Sequence, residues 1–515
     1  MWEERRTRDL LLADFVSWPY LKYALLGQFY IILTLEFFYV LPTSYPILAA
    51  SGLLFFCGLL LLVYKGLVSL LRQNFILSCL VVYFVQVITM WMYFKNATFS
   101  TYFFDLGNFM QPLYLTLYGH QLFAIHASPL VLQGVTTSPV NLSAPNSTSA
   151  LIFDFSPLLF LLLPFYAVYP SATTLFVLQN IAIALPALLI FKLVEDKTKR
   201  LWVSLLYLGY SPIYFVAFFD FHSEVFFPLF LFLAVYFMRT DTKWYYVSIA
   251  LFLSVDQAGA ALLAFFLPYI YSKTKSLRLV LWPALMAGAF ALAAFAFSGH
   301  ILDWRFLVPS TNGVASSALS GLGGKLTYAM LLLAPVLFIP LLEPLALLPA
   351  GAWLAYAFLR NYFPFISILF QYNMLAAGFI FLGLIGAAKR VDQTALKVGL
   401  VVSLVVFASS WPQSSGYIAG TAVPFGNPAT ARLEKILPEV PSNATVMASD
   451  SAYPALANRL GTYFDPNFPP QWIILVQGDH DASIQQAYAN YYVSKANYTI
   501  LEDDSLLFVA RLDGK

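Results

Sequence analysis

Apolar runs of about 17–23 residues recur along the chain, divided by short polar breaks that carry much of its Lys and Arg. Runs of that length cross a bilayer as helices, because only a helix satisfies its own backbone where no water is present. Cytoplasmic loops gather Lys and Arg, so Arg5, Arg6 and Arg8 set the N-terminus inside. Residues 20–40 then cross outward and 46–64 return, leaving Lys65 and Arg72 inside. Residues 75–94 cross outward, which puts 95–155 outside with Lys95 as its only Lys or Arg. Two spans within 157–194 would strand Lys192, Lys197, Lys199 and Arg200 outside. The run 157–168 is short, with Pro164 inside it and Pro170 just beyond. The pattern therefore predicts an interfacial or re-entrant segment there and one span at 172–194.

The same rule carries through the rest. Residues 201–219 cross outward and 224–238 return. A single span at 244–271 would leave Lys273, Lys275 and Arg278 outside, so a hairpin of two short helices is expected, with Asp256 at its outer tip. Residues 277–298, 326–342, 344–359, 372–388 and 396–411 bring the total to about 13 crossings by apolar length. After Trp411 the character changes. Residues 412–429 are a linker of Pro, Ser and Gly, and 430–515 are soluble in composition. "ATVMAS", "GTYFD", "WIILVQ" and "LLFVARL" read as strands and "DASIQQAYANYYVSK" as a helix. The fold class is thus an all-α polytopic membrane protein: a transmembrane domain 1–411 with an outer loop 95–171, then a small C-terminal extracytoplasmic α/β domain.

Composition sharpens this. The 515 residues are 60% hydrophobic and 10% charged, against about 25% charged in a soluble chain. A net charge of +2 with no basic stripe argues against nucleic acid as a partner. Cys57 and Cys79, both in apolar runs, give no disulfide framework. The charged "MWEERRTRDLLLADF" has no cleavable signal pattern, so the first span is expected to act as its own insertion signal. N-x-S/T sequons start at Asn96, Asn141, Asn146, Asn443 and Asn497, all on the outer side of this map. That fits a cell that N-glycosylates outside, such as an archaeon.

Chemistry gathers on the same side. "FFDFHSEVFF" packs Asp220, His222 and Glu224 into five positions between phenylalanines. Asp105 opens "DLGNFMQ", Asp154 precedes the re-entrant run, and Asp256 tips the hairpin. His300, Asp303, Arg305 and Lys325 lie in one outer loop, while Arg360 and Gln371 flank "NYFPFISILF". Ionisable groups at membrane depth are costly and line cavities or pathways. Carboxylates with His and Arg on one face suit acid–base or phosphate chemistry. Plainer readings exist: Asp105 and Asp220 are placed to cap helices, Asp256 reads as a loop-tip residue, and His126, His300 and His480 read as ordinary polar residues. No P-loop, GxGxxG, HExxH or GxSxG stands in a credible context.

"YFFDLGNFMQPLYLTLYG", "FDFSPLLFLLLPFYAVYPSATTLFVLQN", "DFHSEVFFPLFLFLAVY" and "SVDQAGAALL" occur in the order found in DUF2079, a family of predicted prokaryotic membrane proteins. The chain resembles that family over roughly residues 75–390 and into the C-terminal domain. The family in turn looks like a branch of the GT-C glycosyltransferases. The resemblance implies sugar transfer on the outer face from a polyprenyl-phosphate donor held in the membrane lipid. It implies Asp105 as general base, with Asp220, His222 and Glu224 orienting the acceptor or holding a divalent cation such as Mg or Mn. Asp154, Asp256, Arg305, Arg360 and Gln371 would contact substrate. The chain departs from the family pattern at Met110, at Asp154, within "VDQ" and at Gln371. A transporter or flippase and a non-catalytic envelope scaffold are the other readings, although no paired halves with broken helices are evident.

Overall fold

The computed structural model describes residues 74–101, 105–127, 146–153, 155–298, 320–360, 362–417, 427–479 and 482–513. The first two expected spans, Asp154 and Arg305 lie outside the described residues. The protein is mostly helical, with a small sheet near its C-terminus.

Helix α1 (Phe75–Ala97) starts at Asn74, whose side chain accepts from the Leu77 N–H at 3.1 Å and satisfies one of the orphan donors of the first turn. Helix α2 (Asp105–Tyr118) and the two-residue strands β1 (Ala124–Ile125) and β2 (Thr148–Ser149) follow. Helix α3 (Leu158–Val168) is an 11-residue piece, about 16 Å long at 1.5 Å per residue, too short to cross. It turns Phe160, Leu161, Phe165 and Val168 outward. Helices α4 (Ala172–Ala184) and α5 (Pro186–Leu193) form one span. Helices α6 (Arg200–Leu208) and α7 (Ser211–Phe218) are an apolar pair bent by 41° next to Pro212, whose ring cannot continue a helix from the preceding turn.

Helix α8 (Phe227–Thr240) continues a 3₁₀ turn from Ser223. Helices α9 (Thr242–Ser254) and α10 (Ala258–Thr274) break at 255–257. The Tyr245 hydroxyl, near the start of α9, donates to the Leu279 carbonyl at 2.9 Å, just beyond the end of α10. The chain therefore leaves and returns on one side, as a hairpin does. Helices α11 (Arg278–Ser298), α12 (Leu322–Leu333), α13 (Pro344–Arg360), α14 (Met374–Ala387) and α15 (Gln393–Tyr417) complete the bundle.

Among the described residues, 6 helices are long and apolar enough to span, or up to 7 with the bent pair. Leu158–Val168, Leu322–Val336 and Pro344–Arg360 are shorter apolar helices. The span Gln371–Arg390 is 83% buried and Arg278–Phe297 only 17%, so among the described spans α14 is the most enclosed and α11 the most exposed. One set of helix ends meets in a cluster of charges. Arg390 pairs with Glu343 at 2.8 Å, Lys273 with Glu343 at 3.5 Å and Arg239 with Glu195 at 4.0 Å. The opposite ends carry the candidate site.

The C-terminal domain holds a sheet of order β4-β3-β5-β7-β6. Its strands are β3 (Val446–Ala448), β4 (Thr462–Tyr463), β5 (Trp472–Val476), β6 (Tyr498–Asp503) and β7 (Leu507–Leu512). β3 runs parallel to β4 and β5, and β7 antiparallel to β5 and β6. Helix α16 (Ala482–Lys495) covers it through Tyr488, Ala489 and Tyr492, which pack on Met447, Ile473 and Phe508. Strand β6 was not expected from the sequence. It is an edge strand whose residues alternate poorly and stay largely exposed, so the usual signal of a half-buried strand is weak.

Candidate active site

The segment Phe219–Glu224 joins α7 to α8 at the site end of the bundle, and most of its polar groups are tied down. Lys95, in the last turn of α1, is fully buried and pairs with Asp220 at 2.9 Å. Its ammonium also donates to the Phe218 carbonyl at 3.4 Å. Gln179 of α4 accepts from the His222 N–H at 3.1 Å and donates to the Phe219 carbonyl at 3.4 Å. The His222 Nδ1 lies 3.0 Å from the Asp220 carbonyl oxygen, which fixes Nδ1 as the protonated nitrogen. The ring stacks on Phe219 and meets Phe109 edge-on. Its Nε2 is thereby aimed at Asp105, 3.5 Å from Oδ2.

Asp105 and His222, 117 positions apart by subtraction of their numbers, thus come together. The Asp105 side chain keeps 32% of its exposure and His222 only 7%, so the carboxylate is the accessible member. Burial disfavours the His222 imidazolium. The hydrogen bond His222 donates to Asp105, the charges of Asp105 and Glu224 and the Asp220 carbonyl outweigh it, and the pKa is raised to about 9. Glu224 is buried, with the Ser223 hydroxyl 3.4 Å from Oε2. Gln371 lies in a 3₁₀ turn that packs on the Ser223–Phe226 turn. Asp256 caps α10: its Oδ1 accepts from the Ala258 N–H at 2.6 Å. Arg360 closes α13 and is half-buried.

One expectation changes. A divalent cation held by Asp220, His222 and Glu224 does not fit this donor set. Lys95 takes up the Asp220 carboxylate, and Nδ1 of His222 is committed to a carbonyl. Among the described residues no three His, Cys, Asp or Glu side chains gather as a metal would need. Lys95 is the functional residue that residue type alone does not mark. The signal was there: a single Lys in the long stretch 95–155, at the very end of a span.

Helix α2, which begins at Asp105, is gripped by the C-terminal domain. Gln111 is fully buried and donates to the Thr462 carbonyl at 2.7 Å. Its Oε1 accepts from the His126 N–H at 2.8 Å and from the Tyr453 hydroxyl. The His126 ring stacks on Tyr463 with centroids 4.4 Å apart, and the Phe464 N–H donates to the His126 carbonyl at 2.9 Å. Tyr166 of α3 donates to Asn458 at 2.6 Å. Gly107 explains the glycine in "DLG": a Cβ there would sit 2.1 Å from the Tyr453 ring.

A family model described as Predicted membrane protein (DUF2079) matches residues 95–505. The chain belongs to this family. No curated protein and no solved structure matches it. In this DUF2079 chain the matched region runs from Lys95 through the Tyr453 contact, so it includes both the paired site and the domain that grips α2.

The Gly107 contact gives a direct test. Gly107→Ala is expected to force Tyr453 off α2, at a cost of about 1–3 kcal/mol for overpacking. Limited proteolysis should then cut the C-terminal domain faster than in wild type. An unchanged cleavage rate would mean the ring is not seated on Gly107.

Proposed function

We propose that this chain is an integral-membrane glycosyltransferase of GT-C type that uses a polyprenyl-phosphate sugar as donor. The observation that carries the reading is the Asp105–His222 pair: an accessible carboxylate 3.5 Å from a buried imidazolium, at the junction of the bundle and the C-terminal domain. In this reading an acceptor hydroxyl attacks the anomeric carbon of the donor. The new bond joins acceptor oxygen to that carbon. The bond from carbon to phosphate oxygen breaks, and its electron pair leaves with the lipid phosphate. Asp105 takes the hydroxyl proton and passes it to solvent. His222, as imidazolium, pairs with Asp105 and fixes its direction. Glu224 keeps His222 protonated. Asp220 serves as the anchor of the segment rather than as an acid or base, because Lys95 holds its carboxylate.

Arg360 and Arg305 are the proposed cations for the leaving phosphate, and Asp154 a proposed substrate contact. The outward apolar face of α3 supports a lipid chain lying beside it. Placement of Lys and Arg supports a cytoplasmic N-terminus and an extracytoplasmic C-terminal domain in the plasma membrane.

The test is purified protein in lipid nanodiscs with a panel of polyprenyl-phosphate sugars and candidate hydroxyl acceptors. Release of bare polyprenyl phosphate is the expected result. No release with any donor, together with movement of a lipid or solute across sealed vesicles, would assign the site to transport instead.

A further inference from the structure

Seven charged residues line one cavity of about 130 Å³ at the end of the bundle opposite Asp105. Helices α8, α10 and α14 each begin near the Phe219–Phe227 segment and end at this cavity. They bring Arg239, Lys273, Lys389 and Arg390 to it, while the turn after α5 brings Glu195 and Asp196 and the residue before α13 is Glu343. A cavity needs only about 10–15 Å³ to hold one water, so this one has room for a group of several heavy atoms. Its carboxylates are largely spent. Glu343 pairs through Oε1 with Arg390 at 2.8 Å and through Oε2 with Lys273 at 3.5 Å. Gly386 makes space for it, since a Cβ there would lie 2.8 Å from the Glu343 Cγ. Asp196 accepts from the Thr198 N–H and hydroxyl and pairs with Lys199 at 2.9 Å. The Glu195 side chain is 75% exposed and reaches Arg239 only at 4.0 Å.

Donors are in excess. An Arg carries five N–H donors and a Lys three. Among the described residues Arg239 makes only that one long ion pair, and Lys389 makes no hydrogen bond or ion pair. Basic residues at helix ends also answer the last carbonyls, as Arg390 does at the Leu342 carbonyl, 2.7 Å away. That role needs a charged rim, and it leaves the space lined by Arg239 and Lys389 unexplained. A group that fills the space must be small, negative and rich in acceptors, which describes a phosphate. The setting points to its source. Leu341 and Leu342, just before Glu343, are exposed apolar side chains that an acyl chain can cover. Lys and Arg placement assigns this end to the cytoplasm, where the leaflet carries anionic lipid. We infer that the cavity is a phosphate-binding site for the headgroup of an anionic phospholipid, with Arg239 and Lys389 as its main donors. It stands apart from the transferase reading and needs neither Asp105 nor His222.

Purified protein in detergent micelles is titrated with phosphatidylglycerol, with phosphatidylcholine and with inorganic phosphate, and the bound species are counted by native mass spectrometry. Wild type should hold one phosphatidylglycerol in preference to phosphatidylcholine, whose choline cancels the charge of its own phosphate. Arg239→Gln and Lys389→Gln should each lose about 5- to 10-fold of that preference. Lys389→Gln removes a side chain with no partner among the described residues, so its loss cannot come from a broken fold contact. Lys243→Gln removes an exposed cation two residues beyond α8 that does not line the cavity, and it should keep the preference. An equal loss in all three variants would mean that the lipid answers general surface charge, and would overturn the site. Wild type that holds both lipids equally and binds no phosphate would overturn it too. Inorganic phosphate bound with the same dependence on Arg239 and Lys389, and no preference between the lipids, would keep the phosphate site and overturn the lipid as its occupant.

Discussion

Asp105→Asn is expected to lower sugar transfer by about 10²–10⁴-fold, the usual weight of a general base. The amide matches the carboxylate in size and still accepts from His222, so the fold around α2 should persist. What it cannot do is take the acceptor proton. Donor binding should survive, because the lipid and its sugar are held by other groups. Single-turnover rates with a saturating donor would read this directly. An undiminished rate would remove Asp105 from the role.

The pH profile follows from the partner. The His222 pKa is raised from 6.5 to about 9 by Asp105, Glu224 and the Asp220 carbonyl, against the effect of burial. A raised folded value means the pair's contribution is complete below about pH 6.5 and is lost as pH climbs through about 9. Transfer should therefore fall on the alkaline side near pH 9. His222→Gln should be slow at every pH and show no such limb.

About 13 crossings were expected, and among the described residues 6 helices, or up to 7 with the bent pair, are long and apolar enough to span; those were legible because length and apolar character are local signals, read one segment at a time. The break at 255–257 and the short α3 could be inferred for the same reason: the charges at Lys192–Arg200 and Lys273–Arg278 had to end on one side. Grouping at the site was only half legible. Asp105, His222, Glu224 and Gln371 were singled out by type, but what each one touches depends on contacts far apart in the chain. Lys95 meets Asp220 across 125 positions and Gln111 meets Thr462 across 351. No periodicity encodes either pairing. A polar residue in an apolar setting says that a partner exists, not which one. That is why Asp220 read as a catalytic carboxylate when Lys95 already holds it.

Lys95 gives the largest expected effect on stability. Lys95→Met removes the ammonium that pairs with the buried Asp220 carboxylate, and breaking one side of a buried pair costs about 3–5 kcal/mol. Asp220→Leu should cost a similar amount by leaving the buried ammonium with only the Phe218 carbonyl at 3.4 Å. The double variant Lys95→Met, Asp220→Leu should recover most of the loss, because two apolar side chains replace two desolvated charges. Thermal unfolding in nanodiscs would follow all three. Activity should not recover with it. The pair pins Phe218–Asp220, and the Asp220 carbonyl sets the His222 ring whose Nε2 faces Asp105. With the pin gone, the ring is free to turn, and the double variant should be stable yet slow, with its alkaline limb shifted toward lower pH. A double variant that is both stable and fast would mean that Lys95 and Asp220 hold the fold alone and that Gln179 is enough to aim His222.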